Sequence, residues 1–283
     1  MRPVWAIPRS SRAAITASLL ALASPWAPAA ELPIFDAHIH YSQGTWDALP
    51  PKNAIELLRK AGVTRALVSS SNDDGTQALY KEAPDIIIPE LRPYRRRGDI
   101  STWVRDEAIV GYVEERLKRH RYVAIGEFHV YGADADLPVV RRMVQLARER
   151  KLFLHVHGDQ DAVERIFRQD PGARVLWAHA GFALPDRVRE MLGRHRNLWC
   201  DLAFRTDYAP DGKLQPDWRA LFLEFPDRFM VGTDSYTAER WPFVVEHARL
   251  AREWLSELPQ DVAEKIAWRN GDTVFGGMLG KAK

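Results

Sequence analysis

A chain of 283 residues, 46% apolar and 28% charged, suits one large globular domain and is too apolar for a disordered or fibrous protein. Its formal net charge of +2 rests on residues 1–30, which hold Arg2, Arg9 and Arg12 and no acid; the rest has 40 − 3 = 37 basic against 38 acidic residues, about −1. That balance gives no reason to expect nucleic acid as a partner, and a single cysteine, Cys200, excludes an intrachain disulfide.

In chain order, the three arginines precede an apolar run over 13–22 and the small residues Ala27-Pro28-Ala29. This is the pattern of a secretory signal peptide over 1–30, hence of an exported, periplasmic protein. The run is too short and too interrupted for a stable membrane span, and an uncleaved membrane anchor is the alternative.

Beyond residue 30, segments of strand character fall at 34–38, 65–69, 86–89, 123–129, 152–157, 174–179, 198–203 and 229–233. Helical segments fall between them at 54–60, 75–81, 102–119, 137–150, 161–168, 185–195 and 218–225, with 239–258 and 259–275 after the last strand. Regular alternation implies parallel βαβ units. Eight such units in one domain of this length predict a (β/α)8 TIM barrel, with a doubly wound open sheet as the alternative. The least regular stretch, 89–101, contains Glu90-Leu91-Arg92-Pro93-Tyr94-Arg95-Arg96-Arg97-Gly98. It reads as a solvated loop, although after a third barrel strand it could also meet an acidic substrate.

The ionisable residues recur at one kind of place. His38 and His40 end the first strand, Glu127 and His129 the fourth, His155 and His157 the fifth and His179 the sixth, while Asp234 follows the eighth. Six of the nine histidines are strand-end residues, whereas His120, His195 and His247 are scattered elsewhere. In a parallel barrel those ends converge on one mouth. Alternation along a strand places His38 and His40 on one face and Ala37 and Ile39 on the other. Buried in an apolar strand, Glu127 needs a metal or a salt bridge to compensate its charge, and a mouth position favours metal. His155, the deeper of its pair, is expected to be a ligand; His157 and His129 are expected to touch substrate. His179 reads as ligand or supporting residue rather than as a satisfied core histidine. Asp234 could cap a helix, but its place opposite the first-strand pair makes it the expected general base. Arg205, just past the seventh strand, could clamp a carboxylate or phosphate of the substrate, or could pair with Asp207.

As an ordered set, Asp36-Ala-His-Ile-His40, Gly126-Glu127, His155, Ala178-His179-Ala-Gly181 and Gly232-Thr-Asp234 resemble the amidohydrolase superfamily of metal-dependent barrel hydrolases, in particular its amidohydrolase-related branch. The likeness runs to Arg269-Asn270-Gly271, where related proteins often carry a similar asparagine. It implies that His38, His40 and Asp234 bind one divalent metal and that Glu127 bridges to a second held by His155 and His179. In single-metal relatives the strand-five histidine completes the first site and the strand-six histidine polarises substrate, so His179 carries a catalytic role there. Glu127 tips the expectation toward two ions. With no lysine at that position, a carboxylated-lysine bridge is not expected.

Imidazole and carboxylate donors suit zinc or a similar divalent ion. The expected reaction is hydrolysis of a small ester, lactone, amide or phosphoester by metal-activated water. Two alternatives stand beside it. One is a metal-dependent decarboxylase, disfavoured because relatives with that chemistry commonly have glutamate where His38 stands. The other is a non-catalytic exported binding protein. Neither a phosphate-binding P-loop, a G-x-G-x-x-G turn nor a G-x-S-x-G elbow occurs, and the sequence does not give the oligomeric state.

Overall fold

The computed structural model describes residue 1 and residues 31–278. The expected signal peptide therefore lies outside the described residues. The chain divides into a unit at Met1–Glu31 and one at Leu32–Lys283, the second of which holds every strand of the sheet. Among the described residues no helix is long and apolar enough to cross a membrane.

Eight parallel strands pair in chain order: β1 (Ile34–His40), β2 (Val63–Ser69), β3 (Ile87–Leu91), β4 (Ala124–Val130), β5 (Phe153–Gly158), β6 (Val175–Trp177), β7 (Leu198–Asp201) and β8 (Phe229–Met230). Backbone bonds from Ala37 N to Val231 O and from Asp234 N to His38 O, both 2.8 Å, carry β1 against the segment leaving β8. The sheet thus comes round on itself as the expected (β/α)8 barrel. Helices lie between and after the strands: α1 (Gln43–Ala48), α2 (Pro51–Lys60), α3 (Asp74–Glu82), α4 (Ala108–Arg119), α5 (Pro138–Arg150), α6 (Gln160–Gln169), α7 (Pro185–Arg194), α8 (Pro216–Glu224), α9 (Val244–Leu255), α10 (Gln260–Glu264) and α11 (Asn270–Phe275).

Local chemistry sets these starts and faces. Prolines open α2, α5, α7 and α8, where a missing N–H costs no helical bond. Asp159 caps α6 by accepting from Ala162 N at 2.8 Å. Helix α6 buries Ala162, Val163, Ile166 and Phe167, a helical-period stripe laid on the barrel wall. The expected helix over 102–119 begins only at Ala108, where Asp106 accepts from the Ala108 N–H; short 3₁₀ turns precede it. The expected helix over 259–275 is interrupted by a π turn at Lys265–Arg269, whose Ile266 carbonyl accepts from Val231 N. β6 ends at Trp177, so His179 stands in a turn rather than a strand.

The barrel floor is apolar. Phe35, Ala37, Leu67, Ile88, Ala124, Phe153, Leu176 and Met230 pack inside it, closed from below by Phe275, whose ring centroid lies 4.8 Å from that of Phe153. Asn270 belongs to this closure: its Nδ2 donates to the carbonyls of Pro226 and Phe229 at 2.9 and 2.8 Å, tying α11 to the start of β8, the end away from the mouth. A Cβ on Gly271 would stand 2.2 Å from the Phe35 ring. Gly271→Ala is therefore expected to destabilise the protein by about 1–3 kcal/mol through overpacking, read as a lower urea midpoint. An unchanged midpoint would show that Phe35 yields freely.

Candidate metal centre

Two irregularities in strand pairing build the mouth. The register of β1 on β2 shifts between Asp36 and Ile39, and that of β4 on β5 shifts between Gly126 and Phe128. Such bulges insert a residue and re-aim side chains. In β1 the shift places Ala37 in the interior floor while Ile39 packs outward, so the two do not share the face that strict alternation would give them. In β4 it accommodates Glu127. The neighbouring Gly126 has φ +147°, and a Cβ there would lie 2.4 Å from the His155 carbonyl oxygen, so only glycine lets the strands approach so closely.

Four donor atoms then converge. His38 Nε2 and His40 Nε2 face each other at 3.1 Å. Glu127 Oε2 is 3.0 Å from His40 Nε2 and 3.6 Å from His38 Nε2; Asp234 Oδ1 is 3.5 and 3.8 Å from them. Each imidazole is held from behind, His38 Nδ1 by Asp201 Oδ2 at 3.3 Å and His40 Nδ1 by Ser69 Oγ at 2.9 Å. A ring nitrogen that donates at Nδ1 presents a lone pair at Nε2, so the pair needs a cation or a proton between its members. Ligands about 2.1 Å from a tetrahedral zinc lie about 3.4 Å from one another, which matches this spacing. The donor set fits a divalent metal.

The field agrees with that assignment. Although burial opposes it, the carboxylates of Asp201, Glu127 and Asp234 hold the His38 imidazole well above its ordinary range. Burial and the Arg92 guanidinium push His40 the other way. Although burial again opposes it, His38 and Arg92 hold the Glu127 carboxyl well below the usual carboxylate range. The carboxylates around His38 favour positive charge there, the balance a cation would supply.

A second set adjoins the first through the same glutamate. Glu127 Oε1 lies 2.7 Å from His157 Nδ1 and 3.7 Å from His179 Nε2, and those two nitrogens are 3.2 Å apart. His179 Nδ1 faces the Ala203 carbonyl at 2.7 Å, which fixes its proton there and leaves Nε2 as an acceptor. Glu127 therefore offers one oxygen to each set. His157 occupies the place in which His155 was expected. His155 lies one layer deeper, both nitrogens engaged: Nδ1 with Glu90 at 3.0 Å and Nε2 with Asp201 at 3.0 Å. Glu90, His155, Asp201 and His38 come from β3, β5, β7 and β1, the alternate strands that fill one layer of such a barrel. Burial pushes His155 down, but Glu90 and Asp201 outweigh it and raise it to about 9. Among the described residues, His155 joins a possible donor group only with His38 and Asp201, below the mouth.

The other expected site residues divide. Above the donors opens a cleft of about 700 Å³ lined by His40, Glu127, His129, His157 and Asp234 among others. His129 stacks on His157 with ring centroids 4.0 Å apart, and its Nδ1 faces Tyr94 Oη at 3.2 Å. Burial holds its pKa down to about 3. In metal-free protein its NMR signals are therefore expected not to titrate between about pH 5 and 8. Unfolding frees the ring to protonate, so this residue's contribution to stability is lost as pH falls from the ordinary 6.5 toward 3. A His129 midpoint near 6.5 would contradict this placement.

Arg205 is not in the cleft. Its guanidinium pairs with Asp207 at 2.5 Å, donates to the carbonyls of His179 and Ala183 at 3.1 and 2.9 Å, and stacks 4.5 Å over Trp218. Those carbonyls belong to the turn after β6, where His179, Ala180 and Phe182 take φ of 57°, 47° and 51°, unfavourable for residues with a side chain. Arg205 thus positions His179. Arg205→Ala is expected to cost about 1–3 kcal/mol in urea denaturation, since it strands the buried His179 carbonyl and takes a donor from the half-buried Ala183 carbonyl. A variant of undiminished stability would return Arg205 to a substrate role.

Three functional residues escape the sequence reading. Arg92 donates to Glu127 Oε2 at 2.7 Å and to the Glu127 carbonyl at 3.0 Å. Asp201 orients His38 and His155, and its Oδ1 accepts from His179 N at 3.1 Å. Glu90 fixes His155. Glu90 and Asp201 stand at the ends of β3 and β7, so the criterion that singled out the histidines could have found them.

The comparisons with known proteins bear on the family and the fold. The family model that matches, described as Amidohydrolase, spans residues 35–277. No curated protein matches the chain. Among solved structures, an uncharacterised TIM-barrel protein of Bordetella bronchiseptica is similar at TM-score 0.60 and 13% identity, covering 87% of this chain and 99% of that one. An amidohydrolase of Burkholderia multivorans gives TM-score 0.53 at 14% identity, covering 86% and 99%. A probable 2-pyrone-4,6-dicarboxylic acid hydrolase of Acinetobacter baumannii gives TM-score 0.53 at 12% identity, also covering 86% and 99%. At such identities the likeness is one of fold.

Proposed function

The chain belongs to the amidohydrolase family and is an enzyme of the metal-dependent hydrolase type, and on that premise we propose that it cleaves a small ester, lactone, amide or phosphoester at the barrel mouth. The observation that carries the reading is Glu127, one oxygen on the His38/His40 pair and the other on His157. His38, His40 and Asp234 would hold one divalent ion and His157 and His179 a second, with Glu127 between them. Zinc is the expected metal, from the imidazole and carboxylate donors.

A bound divalent cation supplies Lewis acidity toward the scissile carbonyl or phosphoryl group and lowers the pKa of water toward 7. The chain's own residues do the remainder. Asp234, at the cleft wall with its side chain 15% exposed, accepts the proton of the attacking water and passes it to the leaving group. The Ala203 carbonyl holds the proton of His179 away from the cleft, which suits ligation better than donation to substrate. Arg92 keeps Glu127 ionised and oriented. Asp201 and Ser69 hold the first-strand imidazoles in place, so their geometry is set before anything binds.

Metal-loaded protein is expected to turn over at least one member of a panel of esters, lactones, amides and phosphoesters, and to lose that activity to a chelator. Carbon dioxide release from an aromatic acid, without hydrolysis of any member, would contradict the reading. We also propose that the reaction takes place after export, on the strength of the arginines and apolar run within residues 1–30. Cell fractionation tests it: a wholly cytoplasmic mature protein would refute it.

A further inference from the structure

The loop after β3 carries three successive arginines, and the structure uses them differently. Arg95 is engaged within the loop: its N and Nε donate to Asp99 at 2.9 and 3.1 Å, and its Nη2 pairs with Asp106. Asp99, its side chain only 3% exposed, is the buried post around which the loop is wound. The loop is also fixed to β4, because Tyr94 is fully buried and its hydroxyl accepts from His129 N at 2.8 Å. Arg96 and Arg97 line the cleft above the donors. Arg96 is 80% exposed with one contact, Nε to Asp99 Oδ1 at 3.4 Å, and Arg97 has no hydrogen-bond or ion-pair partner among the described residues. On this fixed loop the Arg97 guanidinium thus stands uncommitted among the described residues and that of Arg96 is held only at Nε, both at the cleft.

The opposite rim bears the other sign. Asp47 of α1 and Glu239, beyond β8, are exposed and line the same cleft. An anion entering the cleft is drawn to the β3 side and repelled from the β1 and β8 side, which orients as well as attracts it. We propose that the substrate carries an oxyanion, carboxylate or phosphate, apart from the bond that is cleaved, and that Arg96 and Arg97 bind it. For the word substrate this rests on the hydrolase reading above; for the binding of an anion it does not. Guanidinium groups suit the role because they meet either oxyanion with paired N–H donors.

Calorimetric titration of metal-loaded protein with monomethyl glutarate and with dimethyl glutarate tests it, since the two differ by one carboxylate. The wild type is expected to bind the monoanion at least about tenfold more tightly, and the Arg96→Gln/Arg97→Gln variant to bring the two within about twofold. Arg187→Gln/Arg194→Gln, the same change of two charges on an exposed face of α7, is expected to keep the preference. Inorganic phosphate added as competitor separates the two forms of the anion: displacement shows a site that takes phosphate, and none shows one restricted to carboxylates. Equal binding of the two esters by the wild type, or a preference that survives in the double variant, overturns the proposal; survival would place the carboxylate on the metal instead. Turnover of 4-nitrophenyl acetate is read separately. Its absence alongside intact anion preference would count against hydrolysis and leave the arginine site standing.

Discussion

Asp234→Asn is expected to lower kcat by about 10²–10⁴-fold, the range over which a positioned general acid–base acts, while leaving the fold intact. The fold should survive because the main chain, not the carboxylate, ties this residue in place. Asp234 N donates to the His38 carbonyl at 2.8 Å and Arg240 Nε donates to the Asp234 carbonyl at 2.8 Å. Its φ is 48°, in the left-handed region that asparagine tolerates well among residues with side chains. The amide preserves shape and removes the proton acceptor. Circular dichroism and a urea midpoint like those of the wild type, with turnover largely lost, is the expected pair of results; undiminished turnover would remove Asp234 from the chemistry.

Glu127→Gln carries the second large effect, on metal content and stability together. With one oxygen toward His40 and the other toward His157, the carboxylate is the shared member of both donor sets. Gln has one acceptor, and its NH₂ must face a ring nitrogen or Arg92. Reconstituted wild type is expected to hold two ions per chain and the variant one. In metal-free protein the change leaves the buried Arg92 guanidinium, 8% exposed, without its counter-charge, for an expected loss of about 2–4 kcal/mol. The sign of the pH dependence follows from the direction of the shift. The Glu127 carboxyl lies below its unfolded range, so the wild type's advantage is full above that range and shrinks as pH falls through the folded value. Matched urea midpoints at neutral pH would show that Arg92 finds another partner.

What the sequence discloses and what it hides have separate physical origins. Alternating strand and helix character depends on local pattern, so the barrel was legible, as was the gathering of His38, His40, Glu127, His179 and Asp234 at strand ends. The choice between His155 and His157 was not. Both point inward and His155 is legible as the deeper, but alternation is silent on the depth at which the donors meet, which depends on the register that sets Gly126 beside His155 and His129 beside His157. Nor could local pattern show that Glu90 and Asp201, on strands 65 and 46 positions away from His155, would take both of its nitrogens. Arg205 failed for the same reason: Trp218 and the turn after β6 reach it only through the fold. The Asp207 pairing, which adjacency makes visible, was foreseeable.

Anomalous diffraction from zinc-loaded crystals tests the central claim most directly, because it locates ions rather than inferring them from activity. Two peaks are expected, one among His38, His40 and Asp234 and one against His157 and His179, with the Glu127 carboxylate between them. A peak bound by His155 in place of His157, or no peak at the mouth, would contradict the account.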